Sequence, residues 1–461
     1  MAKANMKGRN APRVQDAKER IRNFDEVSHG FDDATMVEEA NRCLNCKNAP
    51  CMGGCPVGIH IPEFISCLKE GDKEGASEVI ARSTKLPAIC GRVCPQERQC
   101  EKYCGRNRAG GAVAIGQLER CVGDYNLTKE NVKSAPDPSA PAVAIVGSGP
   151  AGLTCAADCL SAGLRVTIFE AFHKAGGVLT YGIPEFRLPK AIVDKEISKL
   201  LDMGCEIKLN SVVGRSETID ELKRDYDAIF ISSGAGLPQF LHIEGENLNG
   251  VMSANEFLTR VNLMKAYKKD SATPIYCGQN VVVVGAGNVA MDAARTAKRL
   301  GGDVTIVYRR SRDEIPARAE EVEHAEEEGV KFMLLTNPVS IGGDETGMVN
   351  RMTCIKMELG EPDASGRRRP IPVEGSEFDI ATDHVIVALG TSPNPLIKKA
   401  FPMLSFNPRG TIVADENMFT GVEGIWAGGD VVTGSATVIS AMGAGRKAAA
   451  QIIKYIGEKK K

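Results

Sequence analysis

Four cysteines fall within fourteen residues, Cys43, Cys46, Cys51 and Cys55 in CLNCKNAPCMGGCP, with a proline directly after the last. A second block repeats the theme as C-x3-C-P-x4-C-x3-C, using Cys90, Cys94, Cys100 and Cys104. Thiolates at such short spacings are soft metal ligands, and eight of them could close two four-thiolate zinc sites. They could equally hold iron–sulfur clusters, because a run ending in C-x3-C-P also terminates the bacterial iron–sulfur motif, whose last cysteine serves a different cluster from the first three. Ten of the 15 cysteines precede residue 122 in a chain of 461 residues whose opening segment does not read as a secretory signal. A secreted disulfide scaffold is usually small and loop-rich, so metal-bound thiolates in a reducing, cytoplasmic setting fit better.

The rest of the chain must be built to feed or drain such centres. VAIVGSGPAG (143–152) and VVVVGAGNVA (281–290) each run from β-branched residues through G-x-G-x-x-G/A into a helix of small residues. Each then reaches a second strand, RVTIFE ending at Glu170 and DVTIVYRR ending at Arg310. Two complete strand–turn–helix–strand units are a strong dinucleotide-binding signal. In the first, Gly147 allows the turn, Gly149 admits a pyrophosphate, and Gly152 lets the helix pack, with Pro150 and Ala151 opening that helix. Glu170 follows Gly147 by 23 residues, where a carboxylate can bind an adenosine ribose. In the second unit Gly285, Gly287, Asn288, Val289 and Ala290 form the loop, and the same count reaches Tyr308, followed by Arg309 and Arg310. Two guanidiniums and no acid suit a 2′-phosphate, so the units read as FAD and NADPH sites.

DAIFISSGAG (227–236) and DHVIVALGTSPN (383–394) read as strand-to-loop crossovers bracketing the second unit. GIWAGGDVV (424–432) and a small-residue helix then follow, an order similar to flavoproteins with two dinucleotide-binding domains. That resemblance implies that Gly429 and Asp430 meet the FAD ribityl–phosphate region, and that the helix after Thr437 points its positive end at the flavin. GGVLTYGIPEFRLP (176–189) adds Gly177, Val178 and Gly182 as places where backbone nears FAD. No redox-active cysteine pair accompanies these units, since Cys155 and Cys159 read as small packed residues. Electrons leaving FAD therefore need another outlet, which favours iron–sulfur over zinc in the cysteine-rich region.

Composition sets the limits. Hydrophobic residues are 43% and charged residues 25%, with a formal net charge of −2, so there is no basic footprint for nucleic acid. No apolar run reaches membrane-spanning length. The Lys- and Arg-rich start through Arg22 reads as a solvated basic arm.

RIRNFDEVSHGF, RCLNCKNAPCMGGCPVGIHIPEFI, CGRVCPQERQCEKYC, GGVLTYGIPEFRLPK and GNVAMDAAR together resemble the small-subunit family of NADPH-dependent glutamate synthase. The same architecture occurs in the larger subunit of electron-bifurcating NADH-dependent ferredoxin:NADP oxidoreductase, in sulfide dehydrogenase-type enzymes and in part of dihydropyrimidine dehydrogenase. The resemblance implies interleaved ligands for two [4Fe–4S] clusters: Cys43, Cys46, Cys51 and Cys104 for one, and Cys55, Cys94, Cys100 and Glu119 for the other. It leaves Cys90 unligated, and Cys67 and Cys121 as packing residues.

The expected fold is α/β: two Rossmann-like domains arranged as in glutathione reductase, behind a mainly helical iron–sulfur domain. The expected boundaries are 1–127 for the cluster domain, 128–140 for a linker, 141–250 and 391–461 for the FAD domain, and 251–390 for the NADPH domain. The expected function moves electrons between NADPH, FAD and two clusters, with no protein acid, base or nucleophile. The chain would serve a larger catalytic subunit making glutamate, or a ferredoxin-type partner in a bifurcating enzyme, within an oligomer. A zinc-stabilised, non-catalytic partner is the competing class.

Overall fold

The structure is a computed structural model describing residues 8–130, 133–134, 136–363 and 366–459. The expected linker falls partly outside these, at residues 131, 132 and 135, as do residues 1–7 of the expected cluster domain.

Each glycine-loop unit organises a five-stranded parallel sheet. In the first, Ala142–Val146 lies centrally between Arg165–Phe169 and Ala228–Ile231, with Glu206–Lys208 and Ile425–Ala427 at the edges. In the second, Asn280–Val284 lies between Asp303–Tyr308 and His384–Val387, flanked by Lys331–Leu334 and Val251–Ser253. The central strands, AVAIV and NVVVV, read as continuous apolar runs because helices cover both faces of a parallel sheet. The chain leaves the first sheet after Ile231, completes the second, and returns to add Ile425–Ala427. The two crossovers run side by side as a short antiparallel ladder, Leu237–Pro238 against Thr391–Ser392. An antiparallel sheet of Thr336–Gly343, Val349–Pro362, Arg368–Pro372 and Phe378–Ala381 is inserted before the last strand of the second unit.

The cysteine-rich region is helical. Ile61–Lys69, Lys73–Ala81, Pro87–Val93 and Ile115–Leu127 enclose a core of Phe64, Ile65, Leu68, Ile80, Leu118 and Val122. Asp72 starts the second of these helices by accepting the Gly75 N–H at 2.8 Å. Gly91 and Gly123 let the Pro87–Val93 and Ile115–Leu127 helices touch, for a Cβ on either would lie within 2.6 Å of the other helix's backbone.

A buried ionic cluster joins the three parts. Glu328, 2% exposed, accepts from Arg20 at 2.7 Å, from Arg295 at 2.7 and 3.0 Å, and from Arg299 at 2.7 and 3.1 Å. Arg187 reaches from the first unit to both carboxylate oxygens of Asp292, at 2.6 and 2.8 Å, and to Glu321 at 2.9 Å. The Phe186 ring lies under Arg299 at 3.8 Å and Arg295 at 4.9 Å, adding cation–π attraction in a dry setting. The amino-terminal segment takes part, which corrects the expectation of a solvated arm. Arg20 is 1% exposed, the Val27 N–H donates to Phe186 O at 2.9 Å, and Glu26 pairs with Arg92 at 2.6 Å and Arg120 at 3.0 Å. Arg9 and Arg20 are the counter-charges of the buried acids Glu101 and Glu328, a role invisible to local composition.

Candidate functional site

The first expected thiol set converges. Cys43, Cys46, Cys51 and Cys104 line one pocket together with Leu44 and Tyr103. Burial pushes the Cys51 thiol up to about 11, and neighbouring Cys104 and Cys43 would add repulsion between thiolates. Burial likewise raises Cys43. Such a group is stable as thiolates only around a cation. The Val113 N–H points at Cys104 Sγ from 3.5 Å, a donor suited to ligated sulfur. The pocket is at the surface, with Cys46 exposed and Leu44 and Tyr103 each 50% exposed.

The second set lies deeper. Glu119 is 5% exposed on the inner face of Ile115–Leu127, its Oε1 has no hydrogen-bond partner, and burial alone pushes its carboxyl up to about 8. Burial raises the thiols of Cys55 and Cys100, and Cys90 together with burial raises that of Cys94; the charge of Glu119 adds to all three. An orphaned buried acid whose charge acts on three thiols has the chemistry of a metal ligand, and cation binding would remove the cost of its charge. Cys90 is also here. It hydrogen-bonds with Cys94 and contacts Met442 Sδ at 3.5 Å, so it supports the group from behind.

Among the described residues, no three His, Cys, Asp or Glu side chains are arranged to hold a single metal ion.

The first glycine loop fits an adenine dinucleotide. Gly147 has φ +102°, and a Cβ there would lie 2.6 Å from Ser232 O. A Cβ on Gly152 would lie 2.0 Å from Gly147 O, whereas one on Gly149 would meet nothing within 4 Å. Turn, packing and open approach are thus divided as expected for a pyrophosphate cradle. Pro150 and Ala151 open the helix Pro150–Ser161, and the carboxy-terminal helix Val438–Lys459 presses onto Ala151 through Gly445. Glu170 is buried, accepting from Ser148 N at 3.0 Å, from Ser148 Oγ, and from Phe172 N at 2.8 Å. Gly177 sits against the loop, and Gly182 packs on Val178. Asp430 accepts the Ala436 N–H at 3.2 Å, and burial pushes its carboxyl up to about 6. Thr437 accepts the Ser440 N–H at 3.2 Å at the start of the last helix.

Gly177 yields a direct prediction. Its φ is +54°, and a Cβ would lie 2.9 Å from Gly149 Cα. Gly177→Ala should weaken FAD by about tenfold or more, from left-handed strain plus displacement of the cradle. Flavin released on dilution reads this out.

Sequence reasoning missed two residues of this cleft. Tyr181 is pushed up to about 12 by burial and by the charges of Glu170 and Asp430. Asn262 donates to Tyr181 O at 3.3 Å and Gly182 O at 3.1 Å from a π-helical turn, Thr259–Leu263. Such turns mark functional places but leave no pattern to read.

In the second unit Gly285 has φ +122°, with a Cβ position 2.4 Å from Ala388 O, and Gly287 faces open space. Asn288 Oδ1 accepts from Arg318 N at 2.9 Å, Val289 is exposed and Ala290 buried. Arg309 and Arg310 line a cavity of about 760 Å³. Arg309 is exposed, but Arg310 is buried and paired with Asp363 at 2.7 Å, which differs from the two open guanidiniums expected.

The second thiol group adjoins the first cleft. Pro56 follows Cys55 and packs on the carboxy-terminal helix, where a Cβ on Gly443 would lie 2.9 Å from Pro56 O.

Comparison with known proteins agrees with this layout. The family described as dihydropyrimidine dehydrogenase domain II, 4Fe-4S cluster, matches residues 20–131, and pyridine nucleotide-disulphide oxidoreductase matches residues 141–445. The glutamate synthase [NADPH] small chain of Escherichia coli K12 is 38% identical, over 94% of this chain and 94% of its own. The NADP(+)-dependent formate dehydrogenase subunit beta of Moorella thermoacetica is 39% identical, over 88% of this chain and 60% of its own. Among solved structures, Mycobacterium tuberculosis FprA in complex with NADPH has a TM-score of 0.59 at 22% identity, over 70% of this chain and 85% of its own. Among the described residues no helix is long and apolar enough to cross a membrane.

Proposed function

Because the chain belongs to the family of the NADPH glutamate synthase small chain, we propose that it is the NADPH-oxidising subunit of such an enzyme. It is an NADPH-dependent iron–sulfur flavoprotein oxidoreductase. When bound, FAD takes hydride from NADPH and iron–sulfur clusters carry electrons one at a time.

The chain's own residues supply position and field. Gly147, Gly149, Gly152 and Gly177 would cradle FAD, Glu170 and Asp430 would hold its ribose and ribityl ends, and the amino end of Val438–Lys459 would lend a positive dipole to the flavin. Gly285, Gly287 and Arg309 receive NADPH, and Asn288 braces the loop. Cys55, Cys94, Cys100 and Glu119 would hold one [4Fe–4S] cluster, and Cys43, Cys46, Cys51 and Cys104 would hold the other.

One observation carries this reading: the Glu119 group abuts the helix that closes the FAD cleft, while the Cys104 group opens at the surface. The two metal sites then stand in series between cleft and exterior, which a larger partner subunit would cover. Anaerobic purification with whatever co-purifies tests it. NADPH-driven glutamate formation from glutamine and 2-oxoglutarate supports the reading, and its absence beside robust ferredoxin reduction coupled to NAD overturns it. That second outcome is the bifurcating alternative; a relative at 39% identity is named as the beta subunit of an NADP(+)-dependent formate dehydrogenase and not of a glutamate synthase. Glu119→Gln, which keeps an oxygen ligand, should retain both cluster signals in electron paramagnetic resonance. Glu119→Ala should lose or shift one.

A further inference from the structure

The antiparallel insertion is not needed to complete either dinucleotide fold. Its hairpin, Val349–Pro362 paired with Arg368–Pro372, turns back over the loop that follows Asp303–Tyr308. There Arg310 donates to Arg368 O at 2.8 Å and to Asp363 Oδ2 at 2.7 Å. Arg368 in turn pairs with Glu314 at 2.7 Å, fastening the hairpin to that loop. Arg309 and Arg369 are both exposed, and no hydrogen bond or ion pair among the described residues engages either guanidinium. Both face the same cavity of about 760 Å³ as Arg310 and Asp363. Three guanidiniums from two separate segments therefore converge on one space, and the carboxylate of Asp363 neutralises the most buried of them.

We propose that Asp363 is an internal stand-in for the 2′-phosphate of NADPH, and that Arg369 is a specificity-determining residue of that pocket. This rests on reading Arg309 and Arg310 as the 2′-phosphate end of the site. A phosphate monoester brings nearly two negative charges and three acceptor oxygens, against one charge and two oxygens for a carboxylate. It can engage Arg309, Arg310 and Arg369 together, which one side-chain carboxylate tethered to the hairpin does not. NADH offers only a ribose hydroxyl, which cannot compete for Arg310, so its binding leaves Asp363 in place. NADPH displaces Asp363, and the return of Asp363 to Arg310 assists release of NADP. Affinity for the phosphorylated nucleotide is thereby held down while preference for it is kept.

Binding of NADP, NAD, adenosine 2′,5′-bisphosphate and 5′-AMP to the full chain, measured by calorimetry, tests this. Asp363→Ala and Asp363→Asn should tighten NADP and the bisphosphate by about two- to fivefold, the worth of a partly exposed ion pair, and leave NAD and 5′-AMP unchanged. Arg369→Ala should weaken the 2′-phosphorylated ligands about tenfold or more and the others little. Weaker or unchanged NADP binding in both Asp363 variants would overturn the stand-in role. A preference for NADP untouched by Arg369→Ala would overturn the assignment of Arg369. The underlying reading has its own control: Arg309→Ala and Arg310→Ala that leave the NADP-to-NAD ratio intact would refute it, whatever the Asp363 variants do.

Discussion

Replacing Cys104 with serine is expected to remove about half of the iron and acid-labile sulfide from the chain while leaving bound flavin in place. Cys104 lies far along the chain from Cys43, Cys46 and Cys51 yet lines their pocket, so its loss opens one four-thiolate site and spares the Glu119 group. The pocket is at the surface, so the functional effect should be severe and selective. NADPH should still bleach the flavin, but on the proposed route out through this site turnover with a partner subunit should fall by about two orders of magnitude or more. Cys67→Ser, at a thiol outside the pocket, serves as the control and should retain full iron. Full iron in the Cys104 variant would refute the ligand partition, and zinc without sulfide in the parent chain would refute iron–sulfur binding altogether.

The second large effect lies away from any cofactor. Glu328→Gln should destabilise the protein by about 3–5 kcal/mol, lowering Tm by about 3–5 °C at a fixed scan rate. The cost is not the loss of a favourable contact alone. Arg20, Arg295 and Arg299 are all buried around this one carboxylate, and Arg299 pairs with no other acid among the described residues. Neutralising Glu328 leaves guanidiniums in a dry interior with too few counter-charges. The same cluster sets an acid limit. Arginine neighbours hold Glu321 down at about 2 and Glu328 lower still, both below the unfolded value of about 4.3. Depressed carboxylates stabilise above the unfolded pKa and lose that contribution as pH falls through the folded one. Stability of the parent should therefore drop steeply between about pH 4.5 and 2. The Glu328→Gln variant should start lower and show a shallower acid limb in circular dichroism. An unchanged limb would mean the cluster does not control acid unfolding.

What could be read from the chain beforehand was local. Gly147 and Gly285 are dictated by backbone geometry within ten residues of their strands, so the two parallel sheets were legible from glycine spacing and β-branched runs. The thiol blocks announced metal binding, but spacing alone left zinc and iron–sulfur both open. Glu119 has no local signature, being one acid in an ordinary helix, and only its burial without a partner marks it. Long-range electrostatics were equally hidden. Arg20 reads as part of a solvated basic run because its partners lie some three hundred residues away, at Glu327 and Glu328. Arg310 reads as open because Asp363 comes from an insertion whose return path has no sequence signal.

The late return of the chain to its first sheet also dictates an order of assembly on the ribosome. The strand Ala228–Ile231 is made roughly 200 residues before its edge partner Ile425–Ala427. At about 5–20 residues per second, its flank stays unpaired for about 10–40 s. The second unit, contiguous from Val251 to Val387, can close first. The nascent first sheet meanwhile offers an apolar, unpaired edge, the usual template for mispairing. The helix that seals it is also the one against which Pro56 must pack. The surroundings of Cys55 and the closure of the flavin cleft therefore both wait for Val438–Lys459, whereas the pocket of Cys43, Cys46, Cys51 and Cys104 is built entirely from residues made earlier.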